Sequence, residues 1–193
     1  LVKVFIDLLE NKTNSSELIH TIDSYSTTVG ELASDINLIH EKRLSQYVEE
    51  VGSGYMRALY STYLSYLDKD NFIYDLISNN DERGNFVEML KTKNSGQVSF
   101  FSAHPGVTRG GHYHHTKNEK FLVILGAAKF RFKNMLNQEY FEINVNSNKP
   151  QIVETVPGWA HDITNIGESE MLVMLWSNEV YDEKNPDTFW EEI

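Results

Sequence analysis

The sequence contains no cysteine. Neither disulfides nor thiolate metal sites are open to it, so any transition ion must be held by imidazole and carboxylate. Positive charge is also scarce: 17 Lys and Arg against 28 Asp and Glu give a formal net charge of -11. That balance argues against general nucleic-acid binding, which needs clustered cations to neutralise phosphates. It leaves room for an anionic small molecule, because a few local cations can dominate one pocket. No apolar run approaches the roughly 20 residues that span a bilayer. The N-terminal stretch Leu1 to Asp7 has neither the basic start nor the long apolar core of a signal peptide. A cytoplasmic protein with no membrane partner is expected, and the triplets beginning at Asn11 and Asn14 carry no weight as glycosylation sites. Only four prolines occur, all beyond residue 100, which predicts helices before that point and loop-punctuated strands after it.

What is present fits one domain with an appendage, or one enlarged domain: 193 residues, 40% hydrophobic and 12% aromatic. Thr28 followed by Glu31 is a capping-box pattern, and Val29, Leu32, Ala33, Ile36 and Ile39 then fall on one helical face. Leu1 to Leu9 and Tyr55 to Tyr66 also read as helical. Asp68 to Asp70 and Ser78 to Asp81 read as a linker or pair of turns. Strand-like runs follow at Phe86–Lys91, Gln97–Ala103, Lys120–Leu125, Ala128–Lys133, Tyr140–Val145, Gln151–Val156 and Glu170–Asn178. Their spacing is that of an all-β sandwich or barrel. Met171 to Trp176 is expected to be core on both faces or a dimer seam.

One stretch carries chemistry. Gly106, His112, His114, Glu119 and Gly126 are separated by five, one, four and six residues. On a strand, His112 and His114 share a face, because side chains alternate. A tight hairpin would return the Glu119 carboxylate to that face. Pro157-Gly158-Trp159-Ala160-His161, running on to Asn165, would supply a third imidazole from a distant strand. A lone His-x-His pair is commonly a surface pair. Together with the paired glycines, Glu119 and the second element, it points instead to a metal. Three imidazoles and a carboxylate suit Zn, Fe, Mn, Ni or Cu and leave positions open for substrate.

The first element resembles the first motif of the cupin superfamily at every position. The second is similar to the second cupin motif, although Pro157 sits directly beside Gly158 and Gln151 stands where a glycine is frequent. The resemblance implies a mainly β fold, a double-stranded β-helix (jelly-roll barrel) preceded by a helical segment, with metal inside the barrel. A longer resemblance, carried by Tyr60–Tyr66, Asp81–Phe86, His114–Phe121, Asn178–Asp182 and Asn185–Thr188, is to the bifunctional capsular-polysaccharide enzymes. These join a short-chain dehydrogenase/reductase domain to a cupin domain. The likeness implies that residues 1–67 are the C-terminal remnant of a reductase domain and residues 68–193 the cupin domain, so the chain looks incomplete. It further implies C3 epimerisation of a UDP-linked 2-acetamido-2,6-dideoxy-4-ketohexose, and a homodimer formed through the cupin domain. No Gly-x-x-Gly-x-x-Gly turn and no Tyr-x-x-x-Lys pair precedes residue 68, so an NADPH site, and with it reductase activity, is not expected.

In this reading His112, His114, Glu119 and His161 hold the metal, Zn2+ first and Fe, Mn or Ni after it, and His112, Glu119 and His161 are the catalytic set. Arg83 and Arg109 suit a diphosphate because a guanidinium binds it bidentately; Lys117 and Lys120 are further candidates for substrate binding. Arg83 and the Gly106–His112 run also resemble dTDP-sugar 3,5-epimerases, in which the histidine matching His112 is a base and no metal is needed. Tyr113 and His115 should face away from the site, and Trp159 or Trp176 could stack on uracil, though a core role is commoner. His20, His40 and His104 are expected to be structural. Two other functions stay open: a metal-dependent cupin oxygenase, and a non-catalytic sugar-binding or dimerisation module.

Overall fold

The computed structural model describes Ile6, Leu9, Glu10 and residues 24–193. Of the expected Leu1–Leu9 helix, only Ile6 and Leu9 are described, and both are helical; the rest of that span, the Asn11 and Asn14 triplets and His20 lie outside the described residues. The chain separates into two compact units, residues 1–35 and 36–193. Helix α1 spans Val29–Leu44 and α2 spans Gly54–Ser65, followed by a short 3-10 turn at Lys69–Phe72. The capping box forms as expected. The Thr28 amide donates to Glu31 Oε2 at 2.9 Å, and the Glu31 amide donates to Thr28 Oγ1 at 3.1 Å. The apolar stripe that follows is less buried than its spacing predicts: Ile39 is buried, whereas Val29 and Ile36 are exposed.

Among the described residues, twelve strands complete the fold. They are β1 Tyr47–Val48, β2 Ser78–Asp81, β3 Gly84–Thr92, β4 Gln97–Ala103, β5 Thr108–Tyr113 and β6 Glu119–Leu125. Then come β7 Ala127–Asn134, β8 Tyr140–Asn146, β9 Ile152–Thr155, β10 Trp159–Asn165, β11 Met171–Ser177 and β12 Phe189–Trp190. Seven strands make one sheet in the order β1-β3-β4-β11-β6-β9, with β2 also paired to β3; the other five run β12-β5-β10-β7-β8. All seven expected runs are strands. Ser78–Asp81 is a correction: it is not a linker but the first arm of a hairpin, paired antiparallel to Gly84–Val87.

The core lies between the sheets. Phe101, Phe121, Val123, Val153 and Val173 come from the larger sheet, and Ala128, Phe130, Phe132 and Ile163 from the smaller one. Burying each of the larger side chains contributes about 1.5–3 kcal/mol. Phe121 bridges the two layers, edge-on to Phe101 at 6.5 Å and to Phe130 at 5.6 Å between ring centroids. In β11 the residues alternate, with Met171 and Val173 fully buried and Met174 exposed, so this strand is core on one face only. Asn165, itself buried, ties the end of β10 down by donating to the carbonyls of Ala103 and Ser169 at 2.8 Å each.

Candidate metal centre

Period-two alternation brings polar groups into an apolar layer here. On β6, Glu119 shares the inward face with Phe121 and Val123, while Lys120 points outward. On β10, His161 shares the inward face with Ile163 and Asn165. His112 on β5 lies opposite His161 across the ladder, with a bulge where the register slips: Asp162 pairs with Gly110, leaving Gly111 as the extra residue. Gly110 has φ +93, and a Cβ built there would lie 2.8 Å from the His161 carbonyl oxygen. Only glycine permits that approach.

His114 follows β5. The expected hairpin to Glu119 is absent, because β5 and β6 belong to different sheets and residues 114–118 cross from one to the other. The crossing achieves the same convergence. The ligand-type atoms of His112, His114, Glu119 and His161 lie within 4.8 Å of one another. The His114, His161 and Glu119 side chains are almost fully buried.

The hydrogen-bond geometry tests whether this cluster fits a cation. His161 Nε2 is 3.1 Å and His114 Nε2 3.3 Å from the same oxygen, Glu119 Oε2, to which Thr155 Oγ1 also donates at 3.3 Å. The opposite nitrogen of each ring also faces an acceptor: His161 Nδ1 meets the Trp159 carbonyl at 3.3 Å, and His114 Nδ1 meets the Asp187 carbonyl. A neutral imidazole has one donor and one acceptor. With their Nδ1 protons on the carbonyls, both rings aim an Nε2 lone pair at one carboxylate, an arrangement that a divalent ion resolves. His112 Nδ1 is buried without a hydrogen-bond partner. Three imidazoles and a carboxylate, without thiolate, therefore fit a divalent transition ion.

Burial is the main cause that pushes His112 down to about 3, and the adjoining His161 and His114 push the same way, so the ring is neutral at pH 7. In the metal-free protein burial pushes Glu119 up, but His114 and His161 then turn N–H donors toward it, and these bonds outweigh burial and hold the carboxyl well below its usual range.

The cluster opens into a cavity of about 200 Å³. Its lining includes His112, Glu119, His161, Arg83, Arg109 and Trp190, with Phe86, Phe101 and Leu175 among the apolar wall. Asp81 receives Arg83 at 2.5 Å and lies 3.8 Å from Arg109, whose Nε is buried without a partner. Both arginines expected for substrate are therefore at the cavity, whereas Lys117 and Lys120 are not among its lining residues. Lys117 is buried with its ammonium over the Tyr181 ring, and Lys120, on the outer face of β6, is paired with Glu154. Tyr113 and His115 do face away, both packed on Phe189. Trp159 packs on Phe141, and Trp176 Nε1 donates to the Ser95 carbonyl at 2.9 Å; neither lines the cavity. His40 Nδ1 lies 2.9 Å from the Tyr63 hydroxyl, and His104 is exposed.

Sequence reasoning missed Trp190 and Asp187. Trp190 stands edge-on to His112 at 5.8 Å because the two-residue strand β12 pairs with β5. Alternation within Phe189-Trp190-Glu191 was the available signal. Asp187 follows Pro186, in a turn-like Asn-Pro-Asp, and caps the crossing segment.

Comparison with known proteins agrees with this fold. The chain is 54% identical over 189 residues to a Pseudomonas aeruginosa protein named UDP-2-acetamido-2,6-beta-L-arabino-hexul-4-ose reductase, covering 98% of this chain and 51% of that protein. Two crystal structures of the Staphylococcus aureus capsular polysaccharide assembling protein CapF superpose with TM-scores of 0.84 and 0.88 at 39% and 35% identity. They cover 88% and 100% of this chain but 49% and 52% of those chains, so the chain spans about half the length of these relatives. The cupin fold and the capsular-polysaccharide resemblance read from the sequence both hold. Residues 79–189 match the Polysaccharide biosynthesis C-terminal domain, and the chain belongs to that family.

Proposed function

We propose that this chain epimerises C3 of a UDP-linked 2-acetamido-2,6-dideoxy-4-ketohexose in capsular or surface polysaccharide biosynthesis, with a divalent ion, Zn2+ first, held by His112, His114, Glu119 and His161. The observation that carries the reading is the convergence of those four side chains at a cavity that also receives two arginines. The name of the Pseudomonas aeruginosa relative supports the substrate class.

The C3 proton is acidic only because C4 is a ketone, so the reaction needs charge stabilisation at the C4 oxygen and a base at C3. A divalent ion bound at the cluster would supply Lewis acidity toward that oxygen. Arg83 and Arg109, oriented by Asp81, hold the diphosphate bidentately. Phe86, Phe101 and Leu175 exclude water and strengthen those electrostatic contacts. Trp190 closes one side against His112. Because His112 is neutral at pH 7, it is competent as a ligand or as a base, and it serves one role at a time.

In the same reading, residues 1–67 are the end of a short-chain dehydrogenase/reductase domain, residues 68–193 the cupin domain, and the site of action the cytoplasm. Among the described residues, no helix is long and apolar enough to cross a membrane. A homodimer through the cupin domain is supported by the outer face of the larger sheet, where the register Phe100–Met174–Leu122–Ile152 is apolar, with Met174 and Ile152 exposed.

The test is solvent-deuterium incorporation at C3, followed by mass spectrometry, for metal-loaded protein, chelated protein and His161→Ala. Exchange in the loaded wild type alone is expected. Exchange that survives chelation would transfer the role of His112 to that of a base without metal. No exchange in any sample would remove the epimerase reading.

A further inference from the structure

The C-terminal segment reaches back across the crossing that delivers His114. The Asp187 carboxylate accepts the backbone N–H of His115 and Thr116 at 2.8 Å and of Lys117 at 2.9 Å, and the Thr116 hydroxyl at 3.0 Å. These are three successive amides of an irregular segment that belongs to neither sheet and has no ladder partners there. The carbonyl of the same residue faces His114 Nδ1. One residue thus grips both the ring and the chain that follows it.

We propose that Asp187 is a positioning residue: its carboxylate anchors residues 115–117 so that its carbonyl accepts the Nδ1 proton of His114, fixing the ring with Nε2 toward Glu119. A carbonyl can only accept, so it draws the ring, against the competing pull of the Glu119 carboxylate, toward the state in which Nδ1 carries the proton and Nε2 offers a lone pair. Without the carboxylate, three amides lose their acceptor, the crossing relaxes, and the ring is free to exchange tautomers. The role in metal binding rests on the reading of the cluster as a metal centre; the tautomer does not.

The test uses 15N NMR of the histidine rings at pH 8, with and without zinc, together with the zinc dissociation constant by chelator competition. Wild type should show His114 with Nδ1 protonated fully when zinc is bound and in part without it. Asp187→Ala should lower the Nδ1-protonated share of metal-free His114 and weaken zinc binding roughly 10–100-fold, the cost of losing an outer partner. Asp187→Asn keeps one acceptor oxygen, should fall between the two, and carries the test if the Ala variant does not fold. Phe189→Ala loosens the same segment without touching Asp187 and should leave the His114 signals unchanged. An unchanged tautomer and unchanged affinity in both Asp187 variants would overturn the proposal, as would the same change in Phe189→Ala. If wild type binds no zinc, the metal reading falls, and the His114 signals alone decide for or against Asp187.

Discussion

Residues 106–126 and residues 178–193 both build the site, but by different physics. The first segment contributes side chains from regular strands, so alternation dictates that His112, Glu119 and Phe121 face inward while Lys120 faces out. The second has one two-residue strand and acts through a cap, a carbonyl and a ring at the cavity edge. A strand-borne site fails when its backbone register is broken. A strap-borne contribution fails piece by piece, with the fold intact.

The largest effect should therefore come from the backbone of β5. Gly110→Ala places a methyl 2.8 Å from the His161 carbonyl at a positive φ, and should cost about 3 kcal/mol or more, lowering the unfolding midpoint in denaturant. A variant as stable as wild type would show that the bulge does not hold β5 against β10.

Acid should expose the buried rings next. His112 has a folded pKa of about 3 against an ordinary 6.5, so between those values the unfolded chain binds a proton that the folded chain refuses. Stability of the metal-free protein then falls as pH drops below 6.5, by at most about 1.4 kcal/mol per pH unit. Glu119, whose carboxyl is held low in the fold, adds a loss of the same sign below its ordinary 4.5. Urea midpoints from pH 8 to pH 4 measure the trend, and a flat profile would contradict the burial argument.

Within the strap, Trp190→Ala should raise KM for the proposed nucleotide-sugar substrate by less than about 10-fold, the worth of one aromatic contact, and leave the thermal midpoint unchanged. A collapse in stability would make the strap part of the core and erase the contrast. The smallest effect belongs to Lys120→Ala. It removes an exposed pair with Glu154 and should change stability by less than about 0.5 kcal/mol with no effect on turnover.

The same contrast explains what could be read from sequence. Strands buried on one face advertise themselves by alternation, so the Phe130-Arg131-Phe132-Lys133 strand and the neighbours of Glu119 and His161 were legible. Ser78–Asp81 was not, because a strand of four exposed polar residues has the composition of a turn. The crossing between sheets at residues 114–118 has the sequence spacing of a hairpin, since local spacing does not distinguish a partner strand in the same sheet from one across the core. Lys120 follows Glu119 in sequence but not in space, because proximity along a strand means opposite faces. Asp187 acts through backbone amides 70 or more residues away, a relation that no period records.

The central claim is that the four converging side chains form a metal centre, and its most direct test is metal content. Wild-type and Glu119→Gln protein, prepared in parallel and dialysed against zinc, are assayed by inductively coupled plasma mass spectrometry. The account predicts a single divalent ion per wild-type chain and its loss in Glu119→Gln, which removes the charge that both Nε2 atoms face. Equal metal content in the two proteins, or none in either, would contradict it.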